Sequence, residues 1–440
     1  MHIFISHIKT FFKKLLKFNR VLIIIVTLNF CLGLFISAIA QERPLVEEGV
    51  LSLKDCIEIA EMNNPSIIQA RNKLRQYELK IRQQYASYYP QVNLSSNFEK
   101  SKVVKYRYDQ NYSHSVKITQ DIYTGGQKSS LVEKAKADLL EQQYAYKEIE
   151  SDEILEVKTD YYQILKEKHL IEVQGGILER RKRNADLIQL FYNAGREKRA
   201  NLLRAEAEIA KAELDLSKEE DKLEIYKAGL NRTIGRQISA PLTVEGALQR
   251  IEFQSSLSEL IDEAKKNRPE LNQQNAKIRA VRAGLKDARS GLFPKLNFET
   301  NWGIRDGLFA PYEDYWDGQL KCTMPVFDGF LTIPKIQEAD IEIKNLLVGY
   351  GDLEKGIIVE VNEAYLNLLS AQKQLNVSEQ TLRAAQLSAD LSRLEYKQGA
   401  ISYVALDDDE LYLAQSELDV VDALYELNLK KAELDNIIGR

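Results

Sequence analysis

The stretch Lys295-Leu-Asn-Phe-Glu-Thr-Asn-Trp-Gly-Ile304 decides the fold. Its side chains alternate without a break. Leu296, Phe298, Thr300, Trp302 and Ile304 fall on one face, and Lys295, Asn297, Glu299 and Asn301 on the other. A period of two marks a β-strand with one dry and one wet face. A second run follows in Leu320, Cys322, Met324 and Val326, and a weaker pair precedes both: Val92, Leu94, Ser96 and Phe98, then Val116, Ile118 and Ile122. A polar, aromatic loop joins each pair, through Tyr106, Tyr108 and Tyr112 and then Tyr312, Tyr315 and Trp316. Each strand is expected to run about ten residues, the length that crosses a bilayer when tilted. Leu296, Phe298, Trp302, Leu320, Val116 and Ile118 are the lipid-facing candidates.

The two strand pairs belong to an internal repeat. One offset of 204 carries Asn64-Pro65 onto Arg268-Pro269, Tyr89-Pro90 onto Phe293-Pro294, and Tyr123-Thr-Gly125 onto Phe327-Asp-Gly329. It also carries Tyr192…Gly195 onto Tyr396…Gly399, and Ile234-Gly-Arg236 onto Ile438-Gly-Arg440. A constant offset across half the chain means two copies of one unit with no net insertion between landmarks. The units are assigned to 41–244 and 245–440.

Each unit opens with a helix, about 53–88 and 257–292, in which Pro65 and Pro269 mark a break or restart. After the strands only helix is expected. No proline lies between Pro90 and Pro241, nor after Pro334. The stretch from Gln127 to Tyr192 would reach roughly 100 Å if continuously helical. Gly195 and Gly399 punctuate it as hairpin turns, over 193–196 and 397–400. Beyond them Leu202, Ile209, Leu216, Leu223 and Leu230 recur every seven residues, as do Leu406, Leu413, Val420, Leu427 and Leu434. That period is the signature of coiled-coil packing.

Residues 1–40 read as a secretory leader. A basic segment (Lys9, Lys13, Lys14, Lys17, Arg20) precedes an apolar run over 21–37, and Ala38-Ile39-Ala40 is a small-x-small cleavage signal with Gln41 as the first mature residue. An uncleaved anchor is the alternative. The chain has 60 Lys+Arg against 65 Asp+Glu, and the leader takes five of the bases and no acid. That acidity excludes a general nucleic-acid binder. With 28% charged residues it is neither a disordered chain nor a helical polytopic membrane protein. Three cysteines and four histidines argue against a disulfide scaffold and against a Cys/His metal site, and no cofactor motif is present. His114 and His169 lie on different elements, so the case for an enzyme is thin.

Four amphipathic strands cannot close a barrel by themselves, and open sheet edges are not tolerated in lipid. Assembly is therefore required. The tandem unit, its Tyr-Pro and Phe-Pro approaches to the strand pairs, Tyr123-Thr-Gly-Gly126, the Tyr-x-x-Gly turns and the Leu-x-x-x-Ile-Gly-Arg endings together resemble the TolC family of outer-membrane efflux and secretion channels. The resemblance covers essentially all of 45–440. It implies a fold that is mainly α with membrane β. Three chains would form a homotrimer with a twelve-stranded β-barrel, continuous with a long periplasmic α-helical coiled-coil barrel. It further implies a Gram-negative outer membrane, a periplasmic adaptor protein and an inner-membrane transporter. The competing reading is a periplasmic coiled-coil spacer or stalk.

The resemblance also points to residues. Family acids six and nine places after the turn glycine can narrow the periplasmic entrance. Here the ninth place after Gly399 is Asp408, within Asp407-Asp408-Asp409-Glu410, while the sixth is Ala405. The first unit has Asn201 and Arg204 at those places. Asp407, Asp408 and Asp409 are thus the gate candidates, against the plainer reading of an acid-rich helix start. Gly195, Arg196, Gly399 and Ala400 are the adaptor-contact candidates, although turn chemistry alone would ask for the glycines.

Overall fold

In the computed structural model of the protein the described residues are 49–440, apart from 105–106, 307–310 and 312. The leader, with its Ala40–Gln41 cleavage, lies outside them, as do Tyr106 and Tyr312. The first unit runs β1 (Val50–Leu51), α1 (Leu53–Asn63), α2 (Pro65–Tyr85), β2 (Gln91–Val104), β3 (Arg107–Tyr123), α3 (Gln127–Asn193) and α4 (Arg199–Thr233). After β4 (Thr243–Val244), where the linker begins, the second runs α5 (Leu257–Asn267), α6 (Pro269–Ser290), β5 (Lys295–Asp306), β6 (Glu313–Thr323), α7 (Thr332–Gln398) and α8 (Tyr403–Ile437).

The helix starts follow from their caps. Ser52 and Ser256 each close a capping box, with Asp55 and Glu259 returning the bond. Pro65 and Pro269 occupy the first turn of α2 and α6, where a missing N–H costs nothing. The break or restart expected at Pro65 and Pro269 divides the opening helix of each unit into two. Asn64 sits in the first joint, accepting from Ser66 N at 2.7 Å and Ile67 N at 3.1 Å. The Ile-Gly-Arg endings pack against the same joint. Gly235 has φ +73, and a Cβ there would collide with the Asn63 carbonyl. At Gly439 a Cβ would sit 2.9 Å from that of Asn267. Only glycine permits both the left-handed turn and the close approach.

Both α3 and α7 span 67 residues and both α4 and α8 span 35, so each long helix is about 100 Å. The cores of the units match position for position. Ala60, Val157, Ile164, Leu230 and Ile234 are buried in one, and Ala264, Val361, Leu368, Leu434 and Ile438 in the other. Cys56 fills the place of Leu260 as an inert apolar plug, and burial pushes its thiol up to about 12. It is a free thiol, as is the exposed Cys322. No helix among the described residues is long and apolar enough to cross a membrane.

The sheet is antiparallel, in the order β2-β3-β5-β6. Its strands depart from the expected length. β2 and β3 have 14 and 17 residues, so Tyr108 and Tyr112 are strand residues rather than loop, as are Tyr315 and Trp316 of β6. Conversely β6 stops at Thr323. Met324 and Val326, read as strand, lie beyond it and are exposed, because the chain turns toward Pro325 and the start of α7. A short parallel pair, β1 with β4, ties the start of the first unit to the linker. The linker then docks through Asn428, whose amide donates to Gln249 O at 2.9 Å, and through Arg250, whose Nη1 lies 2.8 Å from Glu379 Oε2.

Candidate functional site

Two places concentrate chemistry: the hairpin tips and the faces of the sheet. At the tips, Gly195 turns at φ 72° and Gly399 at φ 80°. The turns touch. The Tyr396 hydroxyl donates to Glu197 Oε2 at 2.7 Å, and Asn201 donates to Oε1 at 2.7 Å. Partial burial raises the Glu197 pKa, but these bonds and the Lys198 N–H outweigh it and hold the carboxyl below its ordinary value. Arg196 stacks 4.8 Å above the Phe191 ring. Phe191, Tyr396 and Tyr403 follow in series, with centroids 5.7 and 6.3 Å apart. Ile188, Leu202, Ala205 and Leu406 are buried beneath them. Gly195, Arg196, Gly399 and Ala400 are therefore exposed on one joint tip.

The acidic run behind this tip divides by direction. Asp407 is 1% exposed. Its Oδ1 lies 2.6 Å from Nη1 of the buried Arg181 on α3. Its Oδ2 lies 3.2 Å from Arg204 Nη2, off the hydrogen-bond direction. Burial pushes the neighbouring Tyr403 hydroxyl up to about 12, and the Asp407 charge adds to it. The buried Glu410 pairs with Arg393 at 2.5 Å and faces Arg180 at 3.8 Å. Asp409 accepts from Ser388 at 3.1 Å and from Ser392. Asp408 is exposed and makes no ion pair among the described residues.

The three gate candidates are thus not equivalent. Asp407 is committed inside the protomer and cannot line an aperture, and Asp409 is held by two serines. Arg204, which occupies the first unit's counterpart of the Asp408 place, crosses to Asp407. Sequence reasoning did not single out Arg180, Arg181 or Arg393. They are three bases among many on helices of 67 residues, and only their rotation toward α8 gives them a role.

In the sheet, residues paired across strands share a face. Leu94 pairs with Val116, Val116 with Trp302, Trp302 with Trp316, Gln120 with Phe298, Phe298 with Leu320, and Leu296 with Cys322. Ile118 pairs with Val92 and Thr300. Leu296, Phe298, Trp302, Leu320, Val116 and Ile118 therefore lie on one side. The opposite side carries Lys117 ion-paired with Glu299, and Asn297 donating to Asp121 at 2.7 Å. β2 and β6 end the sheet, each paired on one side only among the described residues.

A sheet with one dry and one wet face, mounted on paired helical hairpins of about 100 Å, is the plan of an outer-membrane conduit. The chain belongs to the outer membrane efflux protein family, whose model matches twice, over 56–236 and 260–440. These two matches are themselves 204 residues apart, so the family unit is the internal repeat. Protein CyaE of Bordetella pertussis is 25% identical over 336 residues, 73% of this chain and 70% of that one. The cation efflux system protein CusC of Escherichia coli is 22% identical over 53% of this chain, and the match spans half of CusC. Among solved structures, CusC superposes with TM-score 0.79 at 18% identity over 90% of this chain and 95% of that one. The Campylobacter jejuni CmeC outer membrane channel gives 0.77 at 13% over 91% and 90%. At such identities the structural likeness speaks for the fold alone. Family membership places the protein in the outer membrane among efflux and secretion channels, and favours a channel over a spacer.

Proposed function

We propose that the protein is the passive exit channel of a tripartite efflux pump or type I secretion system, working as a homotrimer whose four strands per chain close a twelve-stranded barrel. The single observation that carries this is the four-stranded sheet with unpaired edges at β2 and β6. In hydrocarbon each unpaired backbone group costs several kcal/mol, so the edges must meet those of other copies. The apolar face then meets lipid and the Lys117–Glu299 face lines water. No nucleotide-binding motif occurs in the sequence, and the protein acts without catalysis. Energy comes from an inner-membrane transporter through a periplasmic adaptor that docks on the joint tip at Gly195, Arg196, Gly399 and Ala400. Three Asp408 carboxylates lie near the axis at the periplasmic entrance. The leader is removed after Ala40.

Native mass of the detergent-extracted protein, followed by planar-bilayer recording, tests the reading. A trimer that conducts without nucleotide is expected. A conducting monomer, or a well-folded trimer that never conducts, would refute it.

A further inference from the structure

Two helices carry exposed, mainly apolar stripes that nothing among the described residues covers. On α4 the stripe runs through Leu203, Ala207, Ala210, Leu214, Asp221 and Ile225, with Leu203, Leu214 and Ile225 exposed by 53%, 56% and 66%. On α7 it runs through Leu366, Lys373, Val377, Ala384, Leu387 and Leu391, with Leu387 exposed by 64%. At about 100° per residue each set keeps to one side of its helix. Each also lies nearly opposite its helix's buried side, formed by Leu202, Ala205 and Ala212 on α4 and by Leu375, Ala385 and Ala389 on α7. α4 packs against α3, and α7 against α6 and α8, so each stripe faces away from its own helix's packing partners. Monomeric proteins rarely expose extended rows that are mainly apolar.

We infer that the α4 stripe of one chain packs against the α7 stripe of the next copy, in a register fixed by Asp221 opposite Lys373. This rests on the ring assembly proposed above and names the seam that holds its helical part together. The contact surfaces differ, so association is head-to-tail, the kind that closes into a ring. The two turns touch through Tyr396 and Glu197, so distance from each turn glycine is a common ruler. Rotation about an axis parallel to the helices preserves that height. Leu203 lies eight residues after Gly195 and Leu391 eight before Gly399. Ala207 and Leu387 are each twelve away, and Ala210 and Ala384 each fifteen. Large therefore meets large at the level nearest the turns, small meets large at the next and small meets small at the third, so the two helices can approach most closely beyond the first level. Asp221 and Lys373 are each twenty-six residues from their glycine. Both are exposed and neither has an ion-pair partner among the described residues. The charge in each stripe thus falls level with its opposite, which a covering protein of unrelated sequence would not require.

The test uses the full chain, extracted from membranes, with Cys31→Ser and Cys322→Ser so that the buried Cys56 is the only native thiol. Asp221→Cys with Lys373→Cys, and separately Leu203→Cys with Leu391→Cys, are oxidised with copper phenanthroline. Both in-register pairs should give a covalent three-chain band, and the off-register pair Leu203→Cys with Lys373→Cys should give none. A trimer by native mass in which neither in-register pair joins, or in which the off-register pair joins as well, overturns the seam and leaves the ring intact. A monomer by native mass overturns both. As a second measurement, Asp221→Lys and Lys373→Asp should each lower the temperature at which the trimer dissociates, and the double swap should restore it. A double swap no better than the singles also overturns the pairing.

Discussion

Asp407 shows how one buried charge can organise a tip. An ionised carboxylate at 1% exposure is tolerable only with partners, and here they come from both helices of the other hairpin, Arg181 on α3 and Arg204 on α4. Arg181→Ala would strand that carboxylate, at a cost of roughly 3–5 kcal/mol. We expect a lower thermal midpoint and faster proteolysis near Gly195. The double variant Arg181→Met with Asp407→Leu should recover most of the loss, since an apolar pair of similar size removes the stranded charge. If the single variant melts as the parent does, the pair is structurally idle. A second buried carboxyl acts in the opposite direction. Glu167 Oε1 accepts from Gln163 at 2.9 Å, but Oε2 has no hydrogen-bond donor among the described residues. Burial, then the adjoining Glu219, push its pKa up to about 7. On α4 it faces Glu219 and Lys222, which pair with each other at 2.9 Å. A proton on Glu167 would donate to Glu219 and join α3 to α4. The folded hairpin then holds more protons than the unfolded chain between the ordinary carboxyl value of 4.5 and about 7. Stability from this pair is therefore full below that window, falls as pH rises through it and is level above. Glu167→Gln should flatten the decline in thermal midpoint across this range and raise the midpoint at alkaline pH. An unchanged pH profile would refute the shared proton.

At the scale of elements, the sheet faces offer the sharpest contrast. Phe298 and Asn297 are neighbours in β5, yet Phe298 pairs with Leu320 on the apolar side while Asn297 donates to Asp121 on the polar side. Phe298→Lys or Leu320→Lys should cost roughly 2–4 kcal/mol near the bilayer midplane. Asn297→Lys should be tolerated, because in the proposed barrel that face would meet water. Folding yield into lipid vesicles measures the difference, and equal yields would mean the faces are reversed. This alternation was fully legible in the sequence, as were the 67-residue helices, whose prolines are confined to the first turns or absent. Strand ends were not. Alternation continues through Met324 and Val326, although Pro325 removes a ladder donor between them and the chain leaves the sheet. β1 and β4 have two residues each, too few to show any period. The arginines at the tip were illegible for another reason: a helix sequence gives spacing, whereas the direction of Arg181 depends on where α8 lies.

At the scale of the whole molecule, assembly gives Asp408 its meaning. Within one chain it is an exposed acid with no ion-pair partner among the described residues, while Asp407, Asp409 and Glu410 are held by Arg181, Ser388 and Arg393. A ring of three chains would place three Asp408 carboxylates around one axis, where mutual repulsion favours cation binding. Asp408→Asn should then weaken block by multivalent cations and lower cation preference in single-channel recordings, with the trimer's thermal midpoint unchanged. Asp408→Arg should turn the ring into a barrier to cations. Asp407→Asn serves as the contrast. It weakens a buried ion pair, so its signature is a lower midpoint and a tip that opens more readily, whatever its effect on selectivity. Ala405 limits the effect to a single ring, because the place one turn nearer Gly399 carries no charge. If Asp408→Asn conducts, selects and is blocked as the parent is, the entrance is controlled elsewhere and the exposed carboxylate only solvates the start of α8.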